Sequence, residues 1–328
     1  MKTLLAALAA TTALAGAATA QETVTIGIFG NPTPMQTAIA SGAFEEATGW
    51  DIEWRKFASG TDVIAAMASG DIQISELGSS PLAIAASQGV DLQMIGLAQV
   101  IGDAESLIVS DASGITDVSG LAGKRIAVPV GSTAHFSLMG ALDHGGVAET
   151  DLTIMNMPPD QIAAAWEQDA LDGAFIWNPV QAQLMGDGGT RLVSAAETAE
   201  WGYPTFDAWV MDRAWGEANM DGVAAFLATV DKANAEYLAD PAGYSAGDAA
   251  QTIASETGAD AAQIPAILEG FTFVPLADQT SETWLGGSMA PAMKSTAEFL
   301  KAAGRIDTVG DDYSQFVNTG PLEAAQGM

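Results

Sequence analysis

The chain contains no cysteine and only two histidines, His135 and His144, in 328 residues. Without thiols there is no disulfide framework, no thiolate nucleophile and no cysteine-ligated metal site. Two histidines are too few for a histidine-rich metal centre, so no metal or other cofactor is expected. Basic residues are scarce too: 11 Lys and Arg stand against 41 Asp and Glu, a formal charge of −30. A field of that sign repels nucleic acid and anionic membranes, so neither is expected as a partner. It also repels a net anion, which must then be held by local hydrogen-bond donors. A zwitterion meets no such barrier. Beyond the N-terminus no run is long and apolar enough to span a bilayer.

The N-terminus has its own pattern. Lys2 precedes a mostly apolar stretch from Leu4 to Ala18, followed by Ala18-Thr19-Ala20 and Gln21. One basic residue, a short apolar region and an Ala-x-Ala site predict a cleaved signal peptide over residues 1–20 and export of the rest. Roughly 300 residues remain, enough for two domains.

Short alternating or apolar runs over 23–29, 52–57, 92–100, 125–130, 153–157, 173–177 and 206–211 predict strands. Most are separated by helical stretches, which implies an α/β fold with mainly parallel sheets flanked by helices. The pattern changes near Ser106 and again near Phe206, and beyond residue 211 it is mostly helical. The expected organisation is a first lobe from 21–106 and 207–328 and a second lobe from 107–206, with short crossovers near 104–109 and 205–211.

Two strand–turn–helix junctions stand out. In Leu77-Gly78-Ser79-Ser80-Pro81, glycine permits a tight turn, Ser80 is a suitable N-cap and Pro81 suits the first helical position. Gly131-Ser132-Thr133-Ala134-His135 repeats the theme after the strand at 125–130. Helix starts of this kind offer N–H groups and hydroxyls to an anion without any cationic side chain. The plain alternative is that these hydroxyls only cap their helices. Asn31, in the turn after the first strand, occupies a strand end of the kind where α/β sheets hold ligands.

Several stretches together resemble the periplasmic taurine-binding proteins of ABC importers. They are Trp54-Arg55-Lys56-Phe57, Leu77-Gly78-Ser79-Ser80-Pro81-Leu82-Ala83, Gly123-Lys124-Arg125-Ile126-Ala127-Val128-Pro129, Ala164-Ala165-Trp166, Trp201-Gly202-Tyr203-Pro204-Thr205, Asp207-Ala208-Trp209-Val210 and Asp312-Tyr313-Ser314-Gln315-Phe316-Val317. The resemblance runs in order through nearly all of the chain after residue 20. It implies a two-lobed venus-flytrap of the type II periplasmic kind, monomeric, that closes on a small sulfonate and hands it to a membrane permease. The chain departs from the family at Glu76, where Asn is usual, at Phe29 and Thr33, where polar or acidic residues are usual, and at Asn178, where a small residue is usual.

With a sulfonate as ligand, Ser79, Ser80, Ser132 and Thr133 supply donors from two facing helix starts. Asp207 sits between Phe206 and Trp209, a costly place for an unpaired carboxylate, and is assigned to the ligand's ammonium. Glu76 or Glu105 is a second partner for that ammonium, Glu105 being the more structural of the two. A hinge salt bridge is the alternative for Asp207. Trp177 ends a strand beside the cleft and either covers the ligand or belongs to the core. His135, in the first helical turn after Thr133, either donates to the sulfonate or is satisfied within its lobe.

Two enzyme readings are weaker. A pyrimidine-precursor synthase on this scaffold uses cysteine and histidine chemistry, and there is no cysteine. A hydrolase set from Ser132, His135 and Asp207 lacks a Gly-x-Ser-x-Gly elbow. A non-enzymatic binding protein leads, with another small aliphatic sulfonate or zwitterionic amine as the alternative ligand.

Overall fold

The computed structural model describes residues 22–328. The expected signal peptide at 1–20 lies outside the described residues. Among those described, no helix is long and apolar enough to cross a membrane.

Among the described residues, eleven strands form two sheets. β1 (Thr23–Ile28), β2 (Asp51–Lys56), β3 (Ile74–Gly78) and β4 (Leu92–Ile101) come first. β5 (Glu105–Ser110), β6 (Arg125–Val128), β7 (Thr153–Asn156), β8 (Gly173–Trp177) and β9 (Gly189–Ser194) follow. β10 (Phe206–Asp212) and β11 (Phe271–Thr272) complete the set. The first sheet has the order β11-β4-β10-β3-β1-β2 and the second β7-β6-β8-β5-β9.

The α/β architecture is the one expected, but the sheets are mixed rather than mainly parallel. β1, β2 and β3 run parallel, whereas β10 inserts antiparallel between β3 and β4. β10 is the returning segment, and its arrival from the second sheet reverses its direction. In the second sheet, β5 is antiparallel to both β8 and β9.

The chain crosses from the first sheet to the second through residues 102–104, and returns between the helix Ala195–Glu200 and β10. The expected boundary at 106/107 therefore falls inside β5, and Glu105 belongs to the second sheet rather than the first. Both sheets are covered on both faces, which is why their strands read as apolar runs. In β5, Leu107 and Val109 enter one core cluster while Ile108 enters another on the opposite face. β3 is buried throughout and carries Glu76 into the interior.

The last helices pack on the first sheet's side, as the helical pattern beyond 211 implies. One of them, Met289–Ala302, also reaches the second unit, where Phe299 meets Phe136 and Tyr203 edge-on. The stretch 280–303, which reads as one helix, begins its long helix only at Met289; turns around Gly286 and Gly287 precede it. β11 emerges from a region whose pattern is helical. It is two residues long and held at the edge by β4.

Candidate ligand-binding site

At the first junction, β3 runs straight into the helix Ser79–Gln88. The cap is Gly78, in extended conformation, so Ser80 is not the N-cap and Pro81 is the third helical residue rather than the first. A Cβ at Gly78 would lie 2.8 Å from Thr133 Cγ2, so the second unit claims the space a side chain would need. Ser79 Oγ accepts the Phe206 N–H at 3.4 Å, and Ser80 Oγ is buried without a partner. Neither serine lines the cavity.

The second junction behaves as the sequence indicates. Ser132 caps the helix Thr133–Gly145, its Oγ accepting the His135 N–H at 3.2 Å. Thr133 Oγ1 donates to Glu105 Oε2 at 2.7 Å. His135 turns away from the cavity: it is fully buried, and its Nδ1 accepts the Gly131 N–H at 3.3 Å. Burial, aided by the nearby Arg305 charge, pushes its pKa down to about 4, so the ring is neutral at pH 7. The Ser132–His135–Asp207 hydrolase set is not assembled, because the ring is engaged with the backbone and Asp207 is bonded to Gln99.

A cavity with an empty volume of about 430 Å³ lies where the two sheets meet. Of the residues proposed from sequence, Asn31, Glu105, Ser132, Thr133, Trp177 and Asp207 line it. Ser79, Ser80, His135 and Glu76 do not. Three helix starts border it: Gly60 of the helix Gly60–Ser69, Gly78 with Pro81, and Ser132 with Thr133. The leading N–H groups of each helix have no intrahelical acceptor and carry partial positive charge.

Among the described residues no lysine or arginine lines the cavity, yet two carboxylates do. Asp207, on β10, is 5 % exposed, and Glu105, on β5, is 1 % exposed. The Gln99 amide donates to Asp207 Oδ2 at 2.8 Å, and burial pushes the Asp207 pKa up to about 7. Burial likewise pushes Glu105 up to about 8, with the Asp207 charge adding to the rise and the Thr133 hydroxyl opposing it. Glu105 Oε1 has no hydrogen-bond partner.

Glu76 sits behind this pair. Its Oε2 accepts the Phe29 N–H at 2.8 Å and its Oε1 has no partner. Burial first, then repulsion from Asp207, pushes it up to about 8. The hinge salt bridge considered for Asp207 does not form; its recorded side-chain partner is neutral Gln99. Trp177 is half-buried: it packs on the second sheet's core and lines the cavity, directly across the ladder from Glu105.

Sequence reasoning missed Gly60, Pro81, Ile101, Ala104 and Phe271 as lining residues, and singled out Phe29 only as a departure near the cleft. Gly60 was detectable as the start of a helix behind a strand. Phe271 gave no signal, because β11 lies in an otherwise helical stretch.

Residues 30–243 match the family described as NMT1/THI5 like. The chain is 37 % identical over 297 residues to the taurine-binding periplasmic protein of Escherichia coli, spanning 90 % of this chain and 91 % of that one. That relative is named for binding, not for catalysis. Among solved structures, the alkanesulfonate-binding protein of Xanthomonas axonopodis pv. citri bound to MOPS superposes with a TM-score of 0.76 at 24 % identity, covering 91 % of this chain and 99 % of that one. The periplasmic aliphatic sulphonate binding protein of E. coli gives 0.72 at 22 % identity, with 91 % and 92 % covered. At such identities the two structures speak for the fold. With the family match and the long alignment taken together, this chain belongs to the NMT1/THI5-like family, in the group that includes the periplasmic taurine-binding protein of E. coli.

Proposed function

We propose that this protein is an extracytoplasmic solute-binding protein that closes two lobes on taurine and delivers it to an ABC permease. The lobes are the units built on the two sheets, hinged at the crossovers before β5 and β10. The signal peptide would direct the chain to the periplasm, where it works as a monomer.

The observation that carries this reading is the charge pattern of the cavity. Two buried carboxylates, one from each sheet, face a space without any basic residue. Burying a carboxylate unpaired is costly, and a ligand cation removes that cost. The bordering helix starts supply donors for three sulfonate oxygens. A ligand with an ammonium at one end and a sulfonate at the other satisfies both halves. An alkanesulfonate lacking the amine leaves Asp207 and Glu105 uncompensated, and a field of −30 opposes its entry.

Isothermal titration of the protein with taurine, ethanesulfonate and β-alanine tests this. One-to-one binding of taurine with both analogues much weaker is the expected result. Equal affinity for ethanesulfonate would remove the role given to the two carboxylates. No binding of taurine by folded, ligand-free protein would overturn the proposal.

A further inference from the structure

Three buried acids meet at the cavity wall, each from a different strand. Asp207 on β10 pairs with Gly78 on β3, so Glu76, two residues earlier on β3, shares its face as a diagonal neighbour. Glu105 arrives from β5 of the other sheet, held by Thr133, whose methyl reaches Gly78 beside Asp207 Oδ1. Each carboxyl is engaged in the same way, with one oxygen accepting from a neutral donor. Gln99 donates to Asp207 Oδ2, Thr133 to Glu105 Oε2, and the Phe29 N–H to Glu76 Oε2. The opposite oxygens, Glu105 Oε1 and Glu76 Oε1, are buried without a partner, and Asp207 Oδ1 has no donor among the described residues.

Among the described residues, no lysine or arginine pairs with these acids. Lys56 on β2 donates to the Glu256 carbonyl, Arg191 on β9 pairs with Asp103, and Arg305 pairs with Glu149. His135, in the first turn of the helix that carries Thr133, is neutral. The helix Ser79–Gln88 carries no charged residue. The helix Met220–Ala239 reaches Trp209 through Phe226, but its Asp231 accepts the Leu276 N–H, and Asp221, Lys232 and Glu236 are exposed. Asp62, Asp103 and Glu269, on the other bordering elements, are exposed as well.

Three carboxylates this close, in a poorly solvated wall with no cation beside them, resist being ionised together. Protons supply the balance instead, and the donors fix where they go. Gln99 occupies Asp207 Oδ2, so the proton of a neutral Asp207 sits on Oδ1, beside cavity-lining Gly78. The rise of Asp207 to about 7, and of Glu105 and Glu76 to about 8, agrees with such protonation. The Gln99 amide near Glu76 and the Ser137 hydroxyl near Glu105 temper those rises without cancelling them. An ammonium only donates, so it competes with the Oδ1 proton for the same oxygen.

Resting on the taurine reading above, we propose that this site exchanges a proton for the ligand's ammonium: Asp207, coupled to Glu105, releases a proton to solvent as taurine binds, while Glu76 keeps its own. The ammonium retains its protons, so the wall is balanced by a proton before binding and by the ligand afterwards. Unliganded protein thus holds more protons than the complex, and raising the pH favours the complex. Affinity grows from mildly acidic to neutral pH and levels off once Asp207 is ionised without ligand.

Calorimetric titration with taurine at about pH 7, in phosphate, imidazole and Tris buffers, reads this exchange, because each released proton carries the buffer's ionisation heat. The slope of binding heat against that ionisation heat is expected to correspond to about 0.5–1 proton released per taurine. Affinity is expected to rise about fivefold to tenfold from about pH 5.5 to about pH 6.5, and to flatten above about pH 8. Glu76→Gln, neutral at every pH, is expected to keep the slope and to bind taurine within about twofold of the wild type at about pH 7. Tight taurine binding with the same heat in every buffer would overturn this inference and leave the taurine reading intact. Proton uptake instead of release would overturn it by sign. Loss of the slope in Glu76→Gln would move the proton to Glu76 and overturn the assignment to Asp207. No binding of taurine at any pH in this range would overturn both readings.

Discussion

Gln99 and Asp207 face each other across the β4–β10 ladder, and the Gln99 amide holds Asp207 Oδ2 at 2.8 Å. That bond orients the carboxylate and leaves Oδ1 toward the space beside Gly78. Without a neighbouring cation, the amide is what keeps the acid from rising further above its raised value of about 7.

Removing the charge at Asp207 is the most direct intervention. Asp207→Asn keeps the shape and a partner for Gln99 but takes away the ammonium's counter-charge. Losing one member of a buried charge pair costs about 2–5 kcal/mol, on the order of 30-fold to 1,000-fold or more in affinity. Taurine binding is expected to weaken by that amount and ethanesulfonate binding to weaken less or to strengthen. Calorimetry on both ligands checks it, and an equal loss for both would point to a structural defect.

Gln99 acts through Asp207, and its variant separates position from charge. In Gln99→Leu the carboxyl loses its donor, its pKa moves further up, and less of it is ionised at neutral pH. Taurine affinity at pH 7 is expected to fall about tenfold. The deficit shrinks as pH rises toward about 8.5, because deprotonation restores the counter-charge. A deficit independent of pH would mean that Gln99 contributes packing alone.

Much of this site was legible in the residue order, and the rest failed for identifiable reasons. Ser132 and Thr133 line the cavity from a helix start that is capped locally, by Ser132 itself. Asp207, conspicuous as an acid between Phe206 and Trp209, lines the cavity. Ser79 and Ser80 looked equivalent to them, but the helix there is capped at Gly78 and both hydroxyls point away from the cavity lining, and the close approach of Thr133 to Gly78 leaves no local trace. Glu105 falls in the second sheet, one strand start before the expected boundary at 106/107, since β5 begins where the hydrophobic pattern is still indistinct. His135 has the right position along its helix and the wrong direction around it. Phe271 arrives from a two-residue edge strand, too short for any alternation to register.

Glu76 gives a prediction about the protein without ligand. In the folded state it holds its proton up to about pH 8, whereas its ordinary value is 4.5. The folded state thus binds more protons than the unfolded chain between those values, and stability falls as pH rises through the window. Glu76→Gln cannot ionise and keeps the neutral shape. Its melting temperature is expected to match the wild type near about pH 4 and to exceed it by at least ~2 °C by about pH 8. Thermal melts across that range check the sign, and a gap that is constant with pH would show that Glu76 is not the titrating group.

Closure itself can be tested at Gly78. Its backbone is extended, with φ −63°, so alanine adopts the same conformation without strain and shortens the list of unfolded states. The conflict arises between the units: an alanine Cβ would lie 2.8 Å from Thr133 Cγ2, whereas Asp207 Oδ1, in the same sheet as Gly78, would be in ordinary contact at 3.4 Å. The first distance is too short for the two groups to coexist, and Thr133 is held in place by its bond to Glu105. Gly78→Ala is therefore expected to melt at or slightly above the wild-type temperature without ligand, yet to bind taurine about tenfold or more weakly. X-ray scattering should show the wild type contracting on taurine addition and the variant contracting less. Replacing Thr133 by serine in the same protein removes the colliding methyl and keeps the hydroxyl for Glu105. Gly78→Ala with Thr133→Ser is expected to recover most of the affinity. Failure of that second change to restore binding would show that Gly78 is required for something other than the approach of the two units.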